Sequence, residues 1–185
     1  MVRKYRWFGI LAAVVCLSQG AIATTPDRRV SDTAENATEN LWAQADSDRH
    51  IQLANQCSLL IEEEQFQEAI EACNNALELK PDYSMGLTNR CVALGQINEY
   101  QQAVDSCRRA LTGDGNWGDG TEAGGWNNFG GALLLVASAA RTQKEAIPLL
   151  EQALAAFDQS LELEPDNSNT QQLREELAQL IEVLQ

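Results

Sequence analysis

A repeat of 34 residues constrains the fold of this chain more than any other feature. When residues 50–83 are set above residues 84–117, apolar and small residues coincide: Leu53 with Leu87, Cys57 with Cys91, Ala69 with Ala103, Cys73 with Cys107 and Ala76 with Ala110. Each unit carries two apolar stripes at helical spacing, with a break near Glu64 or Asn98. Each unit is therefore predicted to be a helical hairpin. Because one hairpin cannot bury both of its faces, the hairpins are expected to stack.

The hairpin unit resembles the tetratricopeptide repeat family. The family pattern opens with W-x2-L-G-x2-Y, continues with A-x3-F and a small residue, and closes with Pro. In the first unit, Ala69, Ala76 and Pro81 stand at the family's positions in the second helix. Gln56 in the first unit and Arg90 in the second depart from the family's Leu. The match is therefore stronger in the second helix of each hairpin than in the first.

A third unit restores the family's opening motif at residues 126–133. Its second helix closes at Pro165 but comes 11 residues late, so both helices of this hairpin are expected to be longer, by about a turn and a half each. After it, residues 168–185 carry leucines on one stripe, with Asn169 or Ser168 as the candidate N-cap. This stretch is expected to be an amphipathic helix that caps the open end of the stack.

The resemblance implies an all-α fold, a right-handed α-solenoid of about three hairpins followed by the capping helix. The repeat domain is expected to span residues 49–185, with repeats at about 50–83, 84–117 and 123–166 and the capping helix at about 168–185. This arrangement accounts for nearly the whole chain beyond its N-terminal part.

The first 23 residues have the pattern of an export signal. Three basic residues precede an apolar run, and Ala23 ends a stretch of small residues that suits cleavage. The run is shorter than the roughly 20 residues that cross a bilayer, so no stable membrane insertion is expected after cleavage. Residues 24–48 are polar and are expected to be a flexible linker. The expected destination is the periplasm or the cell exterior, with the thylakoid lumen as an alternative.

Four of the five cysteines recur at two positions of the repeat. Cys57 and Cys73 are 16 residues apart, as are Cys91 and Cys107. In the oxidising compartment that an exported chain enters, an even number of cysteines favours disulfides. The repeat symmetry favours Cys57–Cys73 and Cys91–Cys107, each joining the two helices of one hairpin. The alternatives are a Cys73–Cys91 bond and reduced cysteines that are buried as small apolar residues.

Composition excludes several classes of function. The chain has 13 Lys and Arg against 27 Asp and Glu, a net charge of −14, which excludes a general nucleic-acid binder. With His50 as the single histidine and no motif of nucleophilic catalysis, the chain is predicted not to be an enzyme and to need no cofactor or metal. The acidic, Gly-rich stretch 113–122 around Trp117 lacks EF-hand spacing. It is expected to be a surface loop, and a calcium site is the weaker alternative.

Members of the resembled family bind an extended or helical peptide on a concave face lined by the first helices. An asparagine follows two residues after each opening apolar residue, and these three amides could each donate to and accept from a peptide backbone. The alternative is a consensus residue that faces water. The candidate peptide-binding residues are Asn55, Asn89, Asn128, Ser58, Thr88 and Asn127.

The resulting hypothesis is an exported adaptor whose concave groove binds a peptide segment of another protein. The predicted groove has no Lys or Arg to hold a C-terminal carboxylate, and the chain is acidic, so a neutral or mildly basic ligand is favoured. Two alternatives stay open: a structural, self-associating component of the cell envelope, and a redox-responsive thiol protein.

Overall fold

The computed structural model describes residues 48–185. The expected signal peptide, 1–23, lies outside the described residues, as does the expected linker up to residue 47. The described part contains no strand and consists of seven helices: α1 (Arg49–Glu62), α2 (Phe66–Leu79), α3 (Ser84–Gln96), α4 (Tyr100–Leu111), α5 (Glu122–Ser138), α6 (Gln143–Leu163) and α7 (Ser168–Leu184). None of these helices has the length and apolar character that a membrane span requires.

The seven helices form a stack of three hairpins with one further helix on the end. Each helix packs against the next along the chain, and α1, α3 and α5 also pack side by side. The first helices of the hairpins therefore share one face of the stack, and α7 packs on the last hairpin through α6. The predicted all-α solenoid with a capping helix is confirmed.

The first two hairpins reverse direction in the same way. Glu64 and Asn98 have φ values of 60° and 65°, in the left-handed region that ends a helix. The N–H groups of the next residues, Gln65 and Glu99, donate to carbonyls five residues earlier, at 2.8 and 3.0 Å. These turns lie where the breaks between the apolar stripes are seen in the sequence.

The third hairpin is longer than the other two. α5 has 17 residues and α6 has 21, against 12 to 14 in α1–α4. The extra length is unequal, about one turn in α5 and about two in α6. Both helices begin at a threonine: the hydroxyl of Thr121 accepts from the N–H of Gly124 (3.0 Å), and that of Thr142 accepts from the N–H of Glu145 (3.3 Å).

The N-cap of α7 is Asn167, so the sequence-based choice of Ser168 or Asn169 is wrong by one or two positions. The side-chain oxygen of Asn167 accepts from the N–H of Thr170 at 3.1 Å, and Ser168 is already the first helical residue. A stripe of leucines identifies the buried face of a helix, but it does not identify the residue at which the helix begins.

Two disulfide pairs join the helices of the first two hairpins. The sulfur atoms of Cys57 and Cys73 are 2.15 Å apart, and those of Cys91 and Cys107 are 2.09 Å apart. All four side chains are buried, with 0 to 3% exposure. The structure thus pairs cysteines within a hairpin and does not pair Cys73 with Cys91.

The third hairpin makes the corresponding contact without a covalent bond. Gly130 and Phe157 occupy the repeat positions that Cys57 and Cys73 occupy in the first hairpin. A Cβ atom on Gly130 would lie 2.7 Å from the ring of Phe157, which is fully buried. Only a glycine therefore allows the ring to pack directly against α5, and this glycine–phenylalanine pair fills the space that a disulfide fills elsewhere in the stack.

Candidate functional site

A groove of about 500 Å³ runs along the shared face of α1, α3 and the start of α5, and the loop at 113–121 forms one of its sides. Five of the six candidate binding residues line it: Asn55, Ser58, Thr88, Asn89 and Asn128. The repeat positions chosen from the sequence therefore meet on one surface. We refer to it as the amide groove.

Three polar side chains in the amide groove are not used by the fold. Within residues 48–185, the amides of Asn55 and Asn128 make no hydrogen bond, and Asn55 is exposed to solvent. The hydroxyl of Thr88 is buried and also has no partner. Buried polar groups are nearly always paired, so this hydroxyl on α3 is an unsatisfied group in the wall of the groove.

Asn89 differs from the other two asparagines of the set. Its Nδ2 donates to the backbone oxygen of Ala54 at 3.2 Å, which ties the second hairpin to the first. The three amides are thus equivalent in sequence position but not in their contacts. Asn89 has a structural role in addition to its place in the groove.

Asn127 does not line the amide groove. Its Oδ1 accepts from the hydroxyl of Thr170 at 3.1 Å, which fastens α5 to the capping helix. The residue lies instead on a neighbouring pocket of about 330 Å³ between α3, α5 and α7. Four aliphatic side chains of this apolar pocket come from the three helices: Val92, Leu134, Leu135 and Leu173.

The loop at 113–121 is held against the start of α3 through Asp114. One carboxylate oxygen accepts from the N–H groups of Ser84 and Asn116, both at 3.0 Å. The other lies 2.5 Å from the ammonium of Lys80. Asp114 therefore satisfies a free amide at the N-terminus of α3 and fixes the position of the loop.

Trp117, in the middle of this loop, packs against α5. A Cβ atom on Gly125 would lie 2.5 Å from the indole ring, so a side chain there would displace it. The N–H of Met85 donates to the oxygen of Asn116 at 2.9 Å, which holds the preceding residue on α3. Trp117 is half-buried and lines the amide groove together with Asp119. Sequence reasoning left open whether it covers helices or reaches a partner, and the structure places it where it can do both.

Residues 58–83 match the family model of the tetratricopeptide repeat, and the helix order and packing described above are those of stacked hairpins of this kind. The domain is a tetratricopeptide repeat domain. No curated protein matches the chain in sequence.

Solved structures of repeat domains share this fold. The first TPR domain of human RPAP3 is 18% identical, with a TM-score of 0.61 over 74% of this chain and 95% of that chain. The second TPR domain of human RPAP3, in complex with the HSP70 peptide SGPTIEEVD, is 19% identical, with a TM-score of 0.58 over 72% and 98%. The TPR domain of Arabidopsis OM64 is 19% identical, with a TM-score of 0.57 over 71% and 96%.

Two arginines of the repeat domain connect successive hairpins. Arg90 stands where the family has Leu, and its guanidinium donates to Asn74 Oδ1 at 2.8 Å and to Ser106 Oγ at 2.5 Å. Arg174 on α7 donates to Asp158 Oδ1 at 2.9 Å. Both reach back 16 residues to the second helix of the hairpin before. Sequence reasoning took Arg90 as a departure from the pattern, but the repeated spacing to a polar residue was a signal for this contact.

The charged side chains that line the amide groove of the repeat domain are both acidic. Glu62 comes from α1 and Asp119 from the loop, and no Lys or Arg lies among the lining residues. The groove therefore attracts positive charge and repels negative charge. Within residues 48–185, no group of three or more His, Cys, Asp or Glu is placed to hold a metal ion.

Replacing Asp114 with Asn is expected to destabilise the repeat domain at neutral pH and to have no effect in acid. Partial burial raises the pKa of the Asp114 carboxyl, but hydrogen bonds from Lys80 and from the amides of Ser84 and Asn116 outweigh it and lower the pKa to about 2. Because the folded-state pKa lies below the unfolded one, the carboxylate stabilises the fold above about pH 4, and this contribution is lost as the pH falls towards 2.

For a partly exposed ion pair and capping contact, the expected loss in the Asp114→Asn variant is about 1 kcal/mol at pH 7. Chemical denaturation of the variant and the unchanged protein at pH 7 and near pH 2 measures it. Asp119→Asn, on the same loop, is the control and should leave stability unchanged. An equal loss at both pH values would show that the charge of Asp114 does not hold the loop.

Proposed function

We propose that this protein is an exported adaptor that holds a peptide segment of another protein in the amide groove. The proposal rests on one observation: candidate binding residues from three successive hairpins line a single groove, and two of their amides have no partner in the described fold. Amide groups can donate to and accept from an extended backbone. Leu59, 59% exposed on the same face of α1, offers an apolar contact beside them.

The ligand differs in charge from the peptide bound by a structural neighbour. The second TPR domain of human RPAP3 is in complex with SGPTIEEVD, a peptide whose last four residues include three acidic ones. The amide groove has Glu62 and Asp119 in its lining and no basic side chain. A neutral or basic segment therefore suits the groove, because an acidic segment would meet like charge without a partner.

Export is supported by two features of the chain. The first 23 residues carry the expected signal. Paired, buried cysteines in two hairpins are typical of proteins that fold in an oxidising compartment. The proposed location is the periplasm or the cell exterior.

The amide groove can be tested with three baits for affinity capture: the chain from Thr24 to Gln185, its Asn55→Ala/Asn128→Ala variant and a matched Asn75→Ala/Asn169→Ala variant. The first pair of amides lies in the groove without fold contacts, and the second pair is exposed away from it. We expect the unchanged and matched baits to retain the same partner from an envelope or secreted extract, and the groove variant to lose it.

Binding is then measured with the purified partner, after thermal melts have shown that the baits are equally folded. A dissociation constant raised about tenfold or more in the groove variant alone, which is about 1.4 kcal/mol, supports the proposal. Equal retention by all three baits, or no retained partner, speaks against the adaptor. A mass that rises with protein concentration without any partner would instead favour the self-associating component.

A further inference from the structure

The amide groove and the apolar pocket form one continuous surface. Asn128 lines both of them. Helix α3 runs past both as well, with Thr88 and Asn89 in the groove and Val92 and Gln96 in the pocket. From Asn89 to Gln96 the helix advances seven residues, which is about 10 Å. A ligand that follows α3 passes from one site into the other.

The two ends of this surface differ in chemistry. The groove end has the carboxylates of Glu62 and Asp119, together with the indole of Trp117. The pocket end has no charged side chain in its lining and includes Leu135 and Leu173, which are 36% and 39% exposed. Large apolar side chains left this exposed beside one another are typical of a surface that a partner covers.

The groove end suits a cationic side chain. A carboxylate makes charge-assisted hydrogen bonds with Lys or Arg, and an indole attracts the same cations to its ring. Trp117 is a fixed element because its ring packs on Gly125 and the loop is anchored by Asp114. No conformational entropy has to be lost there on binding beyond that of the ligand.

We propose that the bound segment is extended and carries a Lys or Arg side chain at the groove end and an aliphatic side chain at the pocket end. An extended chain rises about 3.3 Å per residue, so the two side chains stand about three residues apart. Asn55 and Asn128 bind the backbone beside them. This inference rests on the proposed function and names the chemistry of its ligand.

The test is selection of binders from a random dodecapeptide library displayed on phage. The baits are the chain from Thr24 to Gln185, the charge-reversed Glu62→Lys/Asp119→Lys variant and a control, Glu71→Lys/Glu182→Lys. The control makes the same change of charge on exposed residues outside the groove. We expect the unchanged and control baits to select peptides rich in Lys or Arg with an aliphatic residue about three positions away, and the charge-reversed bait to select acidic peptides.

Synthetic versions of the selected peptides then give affinities. We expect a fall of about tenfold or more with Glu62→Lys/Asp119→Lys, and a similar fall with Leu135→Asp/Leu173→Asp that leaves the preference for a basic residue intact. Both leucines are partly exposed, so thermal melts of this variant should resemble those of the unchanged protein.

Two negative results are distinguishable. If no bait selects a peptide, the proposed function fails and this inference fails with it. If peptides bind and depend on Asn55 and Asn128 but show no basic and aliphatic pair, or are unaffected by charge reversal, the adaptor stands and only the ligand chemistry is overturned.

Discussion

Replacing the four paired cysteines with serine is expected to lower the free energy of unfolding by about 6 kcal/mol, about 3 kcal/mol for each disulfide in the chain-entropy model. Each bond closes a loop with a sequence separation of 16 residues. The two bonds lie in different hairpins, so their contributions are expected to add. Chemical denaturation of the oxidised protein and the variant measures the difference, and a count of free thiols after unfolding confirms the starting state.

The third hairpin supplies the matched control. Copying its contact, with Gly in place of Cys57 and Cys91 and Phe in place of Cys73 and Cys107, removes the cross-links but restores the packed volume. We expect this variant to lie between the serine variant and the oxidised protein. If the serine variant unfolds like the oxidised protein, and reduction changes neither, the cysteines do not stabilise the hairpins by cross-linking.

The second large effect is expected at the non-covalent counterpart of the disulfides. Phe157→Ala should lower the free energy of unfolding by about 4 kcal/mol, because a fully buried ring is lost and the glycine opposite cannot fill the cavity. Denaturant titration checks this value. Phe66→Ala is the comparison, since Phe66 is only half-buried at the start of α2, and its loss should be smaller than half as much. Equal losses would mean that the contact with Gly130 has no special weight.

The fold was predictable because a repeat of 34 residues makes positions equivalent along the chain. Two apolar stripes in each unit determine two helices and their buried faces, and the confirmed solenoid follows from stacking them. The same equivalence favoured pairing Cys57 with Cys73 and Cys91 with Cys107, which is the pairing in the structure. The period also brought most of the candidate residues onto one face, because side chains at one repeat position point the same way from each hairpin.

What the period could not predict are contacts that differ from one hairpin to the next. Asn89 bonds to the hairpin before it, and Asn127 bonds to the capping helix, whereas Asn55 makes no such contact. Equivalent positions have different neighbours at the ends and in the middle of a stack. The loop around Trp117 has no counterpart elsewhere in the repeat, so nothing in the pattern indicated that it forms a side of the amide groove.

Both disulfides close within a hairpin, and neither links one hairpin to another. This has a mechanical consequence for a protein pulled by its two ends. The 16 residues spanned by each bond cannot extend until a covalent bond is cleaved, and fully stretched they would add about 50 Å of length apiece. About 100 Å of chain is thus kept in reserve, and a tethered oxidised molecule yields at the hairpin interfaces and in the third hairpin, whereas a reduced one can pay out its whole length.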